Sequence, residues 1–100
     1  MSYKLFLAEA AQTEYREAYG WYENQSVGLG SDFESNVDEC LNNISTIPEA
    51  YSRIGKTFRQ ANVTKFPYVI VYGIDKKSQR IIVYSIFHTS RKPKKKYRKL

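Results

Sequence analysis

The chain has 100 residues, a net charge of +6 and a hydrophobic fraction of 42%, with nine Tyr, five Phe and one Trp. That is enough apolar material for one core, too short a chain for two, and excludes a disordered protein. No apolar run approaches the ~20 residues of a membrane helix, and the first residues lack the succession of a secretory signal, so a soluble cytoplasmic protein without a membrane partner is expected. One cysteine and one histidine exclude an internal disulfide and argue against a zinc site built from such ligands within a monomer.

In chain order, Ser2 to Leu7 alternates with Tyr3, Leu5 and Leu7 on one face, which predicts a short first strand. From Ala8 the period changes. Ala11, Tyr15, Ala18 and Tyr22 recur at steps of three and four, the spacing of an amphipathic helix, with Tyr19 and Trp21 widening its aromatic stripe. Asn24, Gln25 and Ser26 interrupt the pattern, and Ser26 suits the N-cap of a second helix from about Val27 to Ile47. Phe33, Val37, Cys40 and Ile44 form the apolar stripe of that helix, in which Cys40 reads as a small core residue, and Pro48 stops it.

Beyond Pro48 the alternation weakens, and Thr57 to Val63 reads as a strand near a sheet edge. Phe66 to Ile74 is apolar at nearly every position, as a strand covered on both faces requires. Asp75 to Gln79 has the polarity of a hairpin loop, and Arg80 to Phe87 supplies the return strand. The expectation is an α+β fold of order β-α-α-β-β-β, an antiparallel sheet with a helical hairpin packed on one face, formed by residues 1–100 as one domain with 92–100 a basic tail.

Charge is concentrated in that tail. Residues 91–100 hold seven of the sixteen basic side chains and no acid, so the other ninety carry a net −1. Such a run is either a solvated terminus or a footprint for a polyanion or an acidic protein, whose contribution would fade with salt. No nucleotide-binding loop, nucleophile elbow or metal-ligand spacing is present, and no cofactor is expected. The available chemistry is basic and aromatic. Arg59, Lys65, Lys94, Lys95, Lys96 and Arg98 could neutralise phosphates, and His88, Arg91 and Tyr97 could move protons, stabilise charge or stack on a base.

Five stretches, Ala18-x-x-Trp21-Tyr22-Glu23, Gly28-Leu29-Gly30-x-x-Phe33, Pro48, Lys65 to Tyr72, and Ile86-Phe87-His88-x-x-Arg91-x-Pro93, occur in an order and spacing that resembles the RelE/ParE superfamily of toxins from type II toxin–antitoxin systems. The resemblance implies the fold just described and a cognate antitoxin as partner. It implies two mechanisms, inhibition of DNA gyrase on the ParE side and ribosome-dependent cleavage of messenger RNA on the RelE side, beside the third possibility of an inactive structural member. For the nuclease, His88, Arg91 and Tyr97 are similar to catalytic residues of some members. Against it, Val69 stands where an arginine is often found, and valine offers phosphate no donor. The Phe66-Pro67-Tyr68 and His88-x-x-Arg91-x-Pro93 patterns look more like ParE.

Overall fold

The computed structural model describes residues 2–90. The elements are β1 (Lys4–Leu7), α1 (Glu9–Gln25), α2 (Leu29–Thr46), a 3-10 turn (Pro48–Ala50), β2 (Ser52–Ile54), β3 (Phe58–Asn62), β4 (Tyr68–Asp75) and β5 (Arg80–His88). The sheet runs β1-β5-β4-β3-β2, and both helices pack on one of its faces. The β-α-α-β-β-β order holds, with two additions that periodicity could not supply. Ser52–Ile54 adds a three-residue strand to the outer edge of β3, too short to show an alternation of its own. And β1 joins β5 in parallel, Lys4 opposite Arg80 and Leu7 opposite Val83, so an otherwise antiparallel sheet is mixed.

The centre is β4. Tyr68 through Gly73 are all buried, as a strand with apolar residues on both faces demands. On the helix side Ile70, Tyr72, Ile81, Val83 and Ile86 meet Phe33, Val37, Cys40 and Ile44 of α2 and Ala11 and Ala18 of α1 in one cluster. A smaller cluster of Val69, Val71 and Phe87, joined by Ile54 and Phe58, forms separately. Strand alternation puts it on the face turned away from the helices. An irregularity at Val71/Tyr72 leaves Tyr84 without an opposite residue, and its ring lies over Gly73, where an added Cβ would stand 3.1 Å from Tyr84 Cε2.

The helical hairpin closes differently from the sequence expectation. Ser26 is the C-cap of α1, its amide donating to the Tyr22 carbonyl, and α2 starts at Leu29 after Gly28, which takes a left-handed φ of 91°. The capping acceptor comes from across the turn instead. Glu23 of α1 receives the amide of Gly28 at 3.0 Å and that of Gly30 at 2.9 Å, so a carboxylate sits on the positive end of α2. An added Cβ at Gly30 would fall 2.8 Å from that carboxylate and 2.9 Å from the Tyr19 carbonyl, so the helices can approach this closely only around glycine. Pro48 ends α2 as expected, and its carbonyl accepts a 2.6 Å hydrogen bond from the buried hydroxyl of Tyr72, tying the turn to the sheet.

Candidate functional site

His88 ends β5 opposite Tyr68, and strand register puts both on the helix side. Its ring meets that of Tyr68 edge-on at 5.3 Å, and Nδ1 accepts the Ser90 amide at 3.1 Å with the Ser90 hydroxyl at 2.7 Å. The imidazole borders a groove of about 490 Å³ between α1 and the ends of β4 and β5. Glu14, Glu17 and Trp21, at steps of three and four along α1, line one wall; Tyr22, Tyr68 and His88 contribute the rest of its polar and aromatic surface.

Glu14 is in place because the sheet needs it there. β1 covers the outer edge of β5 only as far as Val83, whose carbonyl takes the Ala8 amide. Past that point the Ile86 amide finds the Glu14 carboxylate at 2.9 Å, and the buried Ser85 hydroxyl donates to the same group at 3.1 Å. A helix side chain thus continues the ladder where the edge strand stops. Under the groove, the Phe33 ring lies 5.1 Å from that of Tyr22, 5.0 Å from Tyr68 and 5.3 Å from Phe66, an aromatic floor that fixes the side chains above it. Trp21 remains 58% exposed although the sequence groups it with the packed stripe.

Neither of the described cations expected to join His88 lines its groove. Arg59 is in register with Tyr72, four residues along β4 from Tyr68 and roughly 13 Å away at the strand rise. Its Nη1 donates to the carbonyls of Tyr51 at 2.7 Å and Glu49 at 3.2 Å. Lys65 sits exposed in the β3–β4 turn with a left-handed φ of 70°. Arg91, Lys94, Lys95, Lys96, Tyr97 and Arg98 lie outside the described residues.

Val69 opens onto the face away from the helices, paired with Phe87. By alternation the other positions on that side of β3 and central β4 are Phe58, Gln60, Asn62 and Val71, so this stretch of described sheet carries neither an acid–base side chain nor a cation. Among the described residues no group of acids, His or Cys could hold a metal ion, and no helix is long and apolar enough to cross a membrane.

The family model for the ParE toxin of type II toxin–antitoxin systems, parDE, matches residues 5–93. The chain belongs to the ParE toxin family. No relative among curated proteins matches significantly in sequence. Among solved structures, the chromosomal ParDE system of P. aeruginosa aligns with this ParE-family chain at a TM-score of 0.72 and 12% identity, over 89% of this chain and 98% of that one. The intact RelBE toxin–antitoxin complex of E. coli aligns at 0.69 and 22% identity, over 90% and 100%. A RelBE-type complex from Mycobacterium tuberculosis aligns at 0.65 and 13%, over 88% and 99%. ParE and RelE structures share this architecture, and identities this low speak to the fold alone. Two of the motifs behind the resemblance now have a structural cause: Glu23, Gly28 and Gly30 serve the closure of the helical hairpin.

Proposed function

We propose that this ParE-family toxin acts by binding a macromolecular target, DNA gyrase, and that a cognate antitoxin neutralises it by covering its apolar and charged surface. The observation that supports binding over RNA cleavage is the lining of the His88 groove, which among the described residues holds two carboxylates and no cation. Cleavage by 2′-hydroxyl attack needs a base, an acid and charge stabilisation at one phosphorus. Here His88 borders a groove walled by Glu14 and Glu17, Arg59 is held on backbone carbonyls one strand further across, and the sheet face around Val69 is apolar. A phosphate approaching His88 along that groove would meet two carboxylates before it met a described cation.

The basic run 91–100 belongs to the same proposal as an electrostatic contribution to target or antitoxin binding. Deleting residues 92–100 is expected to weaken that binding more at low salt than at high salt. Mapping DNA and RNA breaks after induced expression tests the reading. Trapped DNA-cleavage complexes that persist in a His88→Ala variant are expected. Ribosome-dependent cuts in translated messages that vanish with His88→Ala or Arg91→Ala would replace it with the nuclease, and unimpaired growth at every expression level with the inactive member.

A further inference from the structure

At the end of the sheet opposite His88, the 3-10 turn, β2, the start of β3 and the end of β4 enclose a cleft of about 190 Å³. Four cationic side chains line it: Arg53 of β2, Lys56 of the β2–β3 turn, Arg59 of β3 and Lys76 of the β4–β5 loop. Glu49 is the carboxylate among them, 2.7 Å from Lys76. Four positive groups against one negative group leave an excess that repels itself unless an anion enters.

The fork of Arg59 is preset. Both of its hydrogen bonds leave from Nη1, to the carbonyls of Tyr51 and Glu49, which fixes the guanidinium plane and leaves the Nε and Nη2 donors of a residue that lines the cleft uncommitted by them. The β2–β3 turn is also tied: Gly55 takes a left-handed φ of 62°, and Arg53 Nη2 donates to the Lys56 carbonyl at 3.1 Å.

We propose that this cleft binds a phosphate group, that of a nucleotide or of a single nucleic-acid strand. Donors arriving from four elements suit a tetrahedral anion with several oxygens better than a planar carboxylate. The site is independent of which target the toxin attacks, so it stands or falls apart from the gyrase reading.

Amide spectra of the isotope-labelled full chain, titrated with inorganic phosphate, with adenosine monophosphate and with a short oligothymidylate, test it. Shifts centred on Arg53, Lys56, Arg59 and Lys76 are expected with all three. Arg53→Ala with Lys56→Ala should weaken the nucleotide about tenfold or more, and Glu49→Gln should tighten it severalfold. Glu49, Arg53 and Lys56 are exposed, and an unaltered urea midpoint verifies that each variant is folded. An oligothymidylate tighter than the mononucleotide at the same amides identifies a strand as the source; equal affinity identifies a nucleotide. Shifts centred on residues 91–100, no cleft shifts at millimolar nucleotide, or full displacement by a glutamate peptide that binds more tightly would overturn the proposal, the last in favour of an acidic protein.

Discussion

The two ends of the sheet hold opposite charge by opposite means. At the His88 end, carboxylates from α1 face a wall of rings, and one of them, Glu14, is committed to the bare edge of β5. At the Arg59 end, cations from four elements surround a space that a single carboxylate only partly neutralises. The contrast follows from how charge is divided between layers. α1 and α2 carry eight acids and one arginine, whereas residues 47–90 carry seven bases and two acids. A negative helical layer and a positive sheet orient the molecule in any field, so a polyanion is steered toward the β2–β4 edge and a cationic partner toward the helices.

The contrast can be broken most severely from below. Phe33→Ala removes the floor of the acidic groove from a fully buried site and should cost about 3–5 kcal/mol in urea unfolding, with the groove resonances perturbed and those of the cationic cleft largely preserved. Glu14→Ala strips the Ile86 amide and Ser85 hydroxyl of their acceptor and should cost roughly 1–3 kcal/mol. Glu14→Gln, which keeps an acceptor oxygen, should recover part of it. Glu23→Ala removes the acceptor at the start of α2 and should cost about 1 kcal/mol by the same measurement, without altering either site.

Alkali sharpens the comparison from the core. Burial pushes the Tyr72 hydroxyl up to about 12 and the Cys40 thiol up to about 11, and burial together with the Asp38 carboxylate raises Tyr15. Each group stays neutral in the folded chain at a pH where the unfolded chain has already lost the proton. Their stabilisation is therefore complete below about pH 9 and declines as pH rises through the ordinary thiol and tyrosine range toward the folded values. Urea midpoints that fall from pH 9 to 11, and fall less in Tyr72→Phe, are expected. The smallest effect belongs to the exposed Glu49–Lys76 pair. Glu49→Gln should leave the midpoint unchanged while altering anion affinity, separating what the cleft binds from what holds it.

Much of this was legible in the residues. Both helices follow from uninterrupted periodicity and β4 from its continuous apolar run, and Pro48 and the buried Cys40 read correctly because each acts within its own element. What escaped depends on contacts between elements. Ser26 has the chemistry of a cap, yet Glu23 reaches both amides first from the neighbouring helix. The β1–β5 pairing joins strands some 75 residues apart, and four residues of alternation carry no direction. The groove left one trace, the spacing of Glu14, Glu17 and Trp21 along one helix face. The cationic cleft left none, since its members come from four separate elements and share no period.

The shortness of β1 has a consequence for association. Four half-exposed residues, one of them the 46% exposed Phe6, cap one side of a nine-residue strand that is among the most apolar in the protein. Fraying of so slight a cover bares a row of amides and carbonyls already held straight by β4, ready to be zipped by an extended segment of another polypeptide. What protects the molecule from unwanted self-pairing is then little more than the retention of its own first strand.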